Sequence, residues 1–225
     1  MTKYFVIGLN KTGTTSIQYA LGVALGKSLI VTQRKKMYGV DPILSFTDSL
    51  IKEGKAIFKD RPWNTGCYKE LDKKYDDAKF ILTIRNQEEW WTSVENWLSL
   101  KAVWGKKFNQ EEKIEELDEK IRIYNSHFIC RTMNKDCYIK YYNAYNNGVI
   151  EYFKNKSNLY ALNVGKDFNW TNIQKITNLD EITMAINITR CNQIKNLLPD
   201  NFNGKITHLK LKDFKFVKQN ENILT

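Results

Sequence analysis

One stretch near the N-terminus, residues 4–26, constrains the fold more than any other. Tyr4, Phe5, Val6 and Ile7 form an apolar run that predicts a buried strand, and Gly8 to Gly13 predicts a tight loop. From Thr14 the period changes. Ile17, Ala20, Leu21, Ala24 and Leu25 recur at helical spacing, and Gly26 is placed to end the helix. A strand, a glycine loop and a helix in that order form an anion-binding arrangement. The loop amides converge, and the helix N-terminus adds partial positive charge at the same point. Lys11 and the hydroxyls of Thr12, Thr14, Thr15 and Ser16 add donors.

The loop is close to the ATP-binding motif Gly-x-x-x-x-Gly-Lys-[Ser/Thr] but differs at one position. Gly8 and Gly13 have the right separation, Thr14 stands where the lysine belongs, and the lysine has moved forward to Lys11. Lys-Thr-Gly-Thr-Thr at residues 11–15 instead resembles the 5′-phosphosulfate loop of sulfotransferases, which use 3′-phosphoadenosine 5′-phosphosulfate (PAPS).

The remaining elements follow from periodicity and breakers. A short strand is predicted at residues 29–31, and a helix opening at Asp41-Pro42 with Asp41 as its cap. A strand at residues 56–58 emerges into Lys59-Asp60-Arg61-Pro62-Trp63, where Pro62 forbids its continuation. A helix is predicted over 68–75, and the clearest buried strand over 79–84, ending at Arg85-Asn86. Asn86 caps the next helix with Glu89 as its box partner. An amphipathic helical segment is predicted around residues 109–156. Its tyrosines, Tyr138, Tyr141, Tyr142, Tyr145 and Tyr152, read as a packing stripe. A strand over 159–164, helices over 170–179 and 180–198, and a late strand over 206–211 complete the series. Strands alternating with helices predict a single α/β domain over 1–225. Its P-loop NTPase-like parallel sheet is flanked by helices, with ligands at the carboxyl ends of the strands. The turns at Lys11, Asp60 and Arg85 all belong there.

Ser93 lies eight residues after Arg85 on the adjoining helix. An arginine at a strand end forks onto a phosphate, and a hydroxyl on the next helix completes the cage. This pair resembles the 3′-phosphate motif of the same sulfotransferase family. The resemblance extends over Asp60-Arg-Pro62, Tyr68 with Glu70-Leu71, residues 75–85, and Trp91 with Ser93-Val94, and covers roughly residues 3–180. It implies Lys11, Thr12, Gly13, Thr14, Thr15, Ser16, Arg85 and Ser93 as the cofactor-binding set. PAPS is then the donor and no metal is expected. The implied acceptor is a small molecule or glycan bearing a hydroxyl or amine. The chain departs from the family pattern in two places. Where the family carries a catalytic histidine, in a Lys-x-His setting, the turn here reads Lys59-Asp60-Arg61. Its late Arg-Lys-Gly element is reduced at best to Gly165-Lys166. His127 and His208 are misplaced to substitute. Asp60 is therefore the candidate base, with Lys59 and Lys11 serving the transferring group. Trp63, Tyr68, Trp90 and Trp91 are expected to flank the mouth as stacking surfaces for a sugar or ring, core packing being an equal reading for Trp90. Two alternatives remain open: a P-loop small-molecule kinase, with Asp60 holding magnesium, and a non-catalytic nucleotide-binding relative.

Composition narrows the partners. The net charge of +10 favours anionic ligands, but the lysines are dispersed and no basic tail exists, so specific nucleic-acid binding is not expected. No apolar run approaches the roughly 20 residues of a membrane span. The first strand leaves no room for a signal peptide, so a soluble, cytoplasmic protein is expected. Four scattered cysteines without ligand spacing are expected to be reduced.

Overall fold

The computed structural model describes residues 1–31, 39–107, 134–164 and 166–180, with backbone alone over 98–107. Strands β1 (Lys3–Val6), β2 (Ile57–Lys59), β3 (Ala78–Ile84) and β4 (Leu159–Asn163) form a wholly parallel sheet in the order β2-β1-β3-β4. Parallel neighbours need crossover connections, and helices supply them. These are α1 (Thr14–Leu25), α2 (Val40–Lys52), α3 (Tyr68–Lys74), α4 (Gln87–Lys107), α5 (Lys135–Phe153) and α6 (Trp170–Thr177). The expected α/β architecture is thus the one the chain adopts, with β1, its loop and α1 in the P-loop arrangement.

Both sheet faces are covered, because alternate strand residues point to opposite sides. Tyr4, Val6, Ile57, Ile81 and Leu162 pack under α1 and α6 through Ile17, Leu21, Trp170, Ile173 and Ile176. Phe5, Ile7, Phe58, Phe80 and Leu82 pack under α2, α3, α4 and α5. On that face the Phe5 ring stacks on Phe58 at 4.9 Å and on Phe80 at 5.5 Å, one ring from each of three adjacent strands. Each such fully buried side chain contributes about 1.5–3 kcal/mol. This aromatic layer fixes the lateral register of the strand ends that carry the site.

Several boundaries differ from expectation for local reasons. The strand expected at 29–31 is reduced to one bridge, Ile30 to Ile57, because a 3-10 turn occupies Lys27–Leu29. Helix α2 starts at Val40 after Gly39, and Asp41 lies in its first turn rather than capping it. Of the segment expected around 109–156, Lys135–Phe153 is helical, and the part over 108–133 lies outside the described residues. The helix expected over 180–198 and the strand over 206–211 lie outside them too. Cys67 is free and buried, but Cys137 is disulfide-bonded, against the expectation of reduced cysteines. No described helix is long and apolar enough to cross a membrane.

Candidate active site

Three turns leave the carboxyl ends of β1, β2 and β3, and the strand order makes them neighbours. The first turn begins at Gly8, which must be glycine. A Cβ there would lie 1.9 Å from Thr83 Oγ1 and 2.8 Å from the Thr83 backbone on β3. Beyond it, the Trp90 indole Nε1–H donates to Asn10 O at 2.9 Å, and Lys11 turns the chain with φ 71°. A side chain in the left-handed region costs about 1–2 kcal/mol, and such strain clusters where surrounding structure enforces it. Gly13 follows at φ 82° and leads into α1. The first helical bond runs from Ile17 N–H to Gly13 O, so the amides of Thr14, Thr15 and Ser16 open toward the loop.

Thr12 departs from its expected role. Its hydroxyl is fully buried, donates to Leu9 O and shares a hydrogen bond with Thr83 Oγ1 at 2.6 Å. It therefore pins the loop to β3 and does not present its hydroxyl to an anion.

The second turn closes onto the first. Lys59, the last residue of β2, is 8% exposed. Its ammonium donates to Thr15 Oγ1 at 2.7 Å and pairs with Asp60 Oδ2 at 3.2 Å. The other Asp60 oxygen accepts from Thr14 Oγ1 at 3.2 Å. A buried ammonium requires such partners. Asp60 itself has φ 60°, a second non-glycine residue in the left-handed region. Thr14, Thr15, Lys59 and Asp60 thus form one bonded cluster at the N-terminus of α1.

The third turn carries Arg85. Its backbone N–H donates to the Tyr142 hydroxyl at 2.8 Å, and the same hydroxyl donates to Arg85 O at 2.8 Å. Asn86 caps α4 as expected, accepting from Glu88 N–H at 3.0 Å. Glu89 does not close the expected capping box. Its carboxylate turns to Arg85 Nε at 3.2 Å. Glu89, Ser93 and Trp97 follow at one-turn intervals on α4. The first holds Arg85, and the Trp97 ring lies 6.0 Å from Lys11 Nζ. Half-buried Ser93 is placed on the helix face between them.

The aromatic residues expected at the mouth are mostly core. Trp63 and Trp90 are fully buried, and Tyr68 and Trp91 nearly so. Trp63 donates to Thr47 Oγ1 at 2.9 Å and packs on Phe46 and Phe58. Tyr68 and Trp91 pack edge-on against Tyr145 and Tyr138. After Pro62 the chain turns back into the core, a direction that residue types alone do not give. Conversely, the tyrosines of α5 do more than pack, since Tyr145 OH donates to Ile7 O at 2.7 Å. A buried phenol needs a hydrogen-bond partner, and that was the available signal. Burial pushes the phenols of Tyr142 and Tyr145 up, so both keep their protons at neutral pH. Among the described residues there is no group of three or more His, Cys, Asp or Glu that could hold a metal ion.

Comparison with known proteins bears on this arrangement. The family model described as "Sulfotransferase domain" matches residues 3–180, from β1 through α6. The crystal structure of a sulfotransferase from Alicyclobacillus acidocaldarius is similar over 87% of this chain and 96% of its own, with TM-score 0.46 and 12% identity. No curated protein matches the chain.

Proposed function

The chain belongs to the sulfotransferase-domain family, and from that premise we propose that it moves a sulfuryl group from PAPS to a hydroxyl or amine of a small molecule or glycan. One observation carries the reading. The strand end bearing Lys59 and Asp60 is bonded to Thr15 and Thr14 at the N-terminus of α1, next to the turn that carries Lys11. The donors suit an anion: first-turn amides, hydroxyls and two lysines, with Arg85 and Ser93 for a second phosphate.

PAPS, when bound, supplies the sulfuryl group, and the bond broken joins it to a phosphate oxygen. Lys11 and the amides of residues 14–16 meet the charge that grows on that oxygen, acting as preorganised donors. Lys59 would offset the charge on the oxygens of the transferring group. Asp60, held by Lys59 and Thr14, takes the proton that the acceptor loses. Arg85 and Ser93 bind the 3′-phosphate.

The kinase alternative is disfavoured by the same geometry. In P-loop NTPases, the hydroxyl following the lysine and an aspartate at a neighbouring strand end hold magnesium. Here the residues at those positions, Thr15 and Asp60, are both bonded to the Lys59 ammonium. Calorimetry with adenosine 3′,5′-bisphosphate and with ATP, each with and without magnesium, tests the reading. The bisphosphate is expected to bind more tightly and without need of the metal. Tight, magnesium-dependent ATP binding with no gain from a 3′-phosphate would overturn it.

A further inference from the structure

The phenols of α5 reach past the core to the backbone of two site turns. Tyr142 and Tyr145 are three residues apart, hence on one face of the helix. Tyr145 OH ends on the last carbonyl before Gly8, and Tyr142 OH on both backbone groups of Arg85. The second contact is unusual in kind. Arg85 lies beyond the end of β3, and neither its own N–H nor its C=O has a ladder partner, while Ile84 O just before it still accepts from Val164 N–H at 2.8 Å. One hydroxyl replaces both partners; with the Val164 bond holding the peptide before Arg85, it adds the constraint on the peptide after it, so both planes that flank the Arg85 Cα are held. The direction in which the side chain leaves the strand end is fixed with them.

The same tyrosine also links the two anion-binding turns. Its ring stacks on Trp90 at 4.3 Å and 26°, and Trp90 donates to Asn10 O in the first loop. From Asn10 through Trp90 and Tyr142 to Arg85, every step is a hydrogen bond or a close ring contact, with the two rings buried and the two ends half-buried. Packed groups of this kind transmit spacing rigidly. The distance between the Lys11 turn and the Arg85 turn is therefore set by α5 and not by the sheet alone.

We propose that Tyr142 is a positioning residue that sets nucleotide selectivity. By holding the Arg85 backbone, it makes the site prefer nucleotides bearing a 3′-phosphate over those bearing only a 5′-phosphate. The inference rests on the proposed assignment of Arg85 to the 3′-phosphate. It gives the hydroxyl of a helix distant in sequence a defined part in recognition.

The test is calorimetry of the full chain with adenosine 3′,5′-bisphosphate and adenosine 5′-phosphate, for the native sequence and for Tyr142→Phe. The phenylalanine keeps the Trp90 stack and removes only the hydroxyl. The expected result is about a tenfold loss of bisphosphate affinity, with the monophosphate changed by less than about twofold. Tyr152→Phe removes a hydroxyl from the same helix, one bonded to Asp72, and is expected to leave the ratio unchanged. A general loosening of α5 would move both nucleotides together, so the ratio separates positioning from stability. If Tyr142→Phe folds only in part, the ratio still decides, because an unfolded fraction lowers both apparent affinities alike and cancels; Tyr142→Phe on an Arg85→Ala background is the control. With the arginine gone, removing the hydroxyl must no longer affect the ratio. If the native protein discriminates and the ratio survives Tyr142→Phe, this inference is overturned and the reading of the site stands. If the native protein shows no preference for the 3′-phosphate, the reading falls and the inference with it.

Discussion

Asp60 illustrates how much a single residue is asked to do at this site. Its backbone is held in the left-handed region, and its two oxygens are engaged by Thr14 and Lys59. A residue kept in a strained conformation by surrounding bonds is preorganised, since little motion is needed to present its carboxylate. Each carboxylate oxygen has two acceptor sites, so an engaged Asp60 retains capacity for an incoming proton donor. Asp60→Asn keeps the shape and removes the basicity. Loss of a general base typically costs about a hundred- to ten-thousandfold in rate, and adenosine 3′,5′-bisphosphate affinity is expected to hold within about threefold, well inside one charge-assisted contact. Turnover with an identified acceptor, measured beside calorimetry, checks both halves. Near-normal turnover would place the base elsewhere. A protein that no longer folds would mean that the cluster with Lys59 and Thr14 is structural first.

At the scale of elements, the loop between β1 and α1 depends on a second crowded glycine besides Gly8. A Cβ on Gly13 would lie 2.6 Å from the Phe168 ring, and φ is already +82°. Gly54 has nearly the same φ, +80°, with nothing within 4 Å, so it isolates the backbone cost. Gly54→Ala is expected to lose about 1 kcal/mol, and Gly13→Ala about 1–3 kcal/mol more. Only Gly13→Ala should also weaken bisphosphate binding, by more than about tenfold, because the loop must shift to admit the methyl. Denaturant unfolding and calorimetry on the two variants read this out, and equal behaviour would show that Phe168 yields freely. The elements themselves were legible in the sequence because their signals are local. The apolar runs at 4–7 and 79–84 lie within one residue of β1 and β3, and Asn86 caps α4 as its type predicts. The turns at Lys11, Asp60 and Arg85 were legible because parallel strands gather their carboxyl ends. What periodicity did not give was direction. It put Tyr142 and Tyr145 on one helix face but not onto the Arg85 and Ile7 backbones. It could not say that Thr12 faces Thr83, nor that Trp63 turns back into the core.

Over the whole molecule, α5 is anchored at both ends of the sheet. Its tyrosines hold the site turns at one end, and at the other Tyr152 and Lys156 meet Asp72 of α3. Asn158, which leads into β4, donates to the same carboxylate at 2.8 Å and to Ala78 O at 3.2 Å. One carboxylate therefore ties α3, the end of α5 and the β3–β4 pair together. Burial pushes the Asp72 carboxyl up, but hydrogen bonds from Lys156, Asn158 and Tyr152 outweigh it and hold it below the ordinary carboxylate value. The hydrogen bond from Lys74 similarly lowers Asp48. A carboxyl lowered in the folded state stabilises it above the unfolded value of about 3.9. That contribution is lost as pH falls through the lower, native value. Protonation also adds to a net charge already at +10, so self-repulsion acts in the same direction. The thermal midpoint is therefore expected to fall steadily from about pH 5 downward. Asp72→Asn should lower the midpoint by about 3–6 °C at pH 7. The gap should close as pH falls through the lowered native value of the carboxyl. Thermal unfolding of both proteins across that range decides the matter. A gap that stays constant with pH would mean that Asp72 holds the junction by shape and hydrogen bonding, and that its charge is incidental.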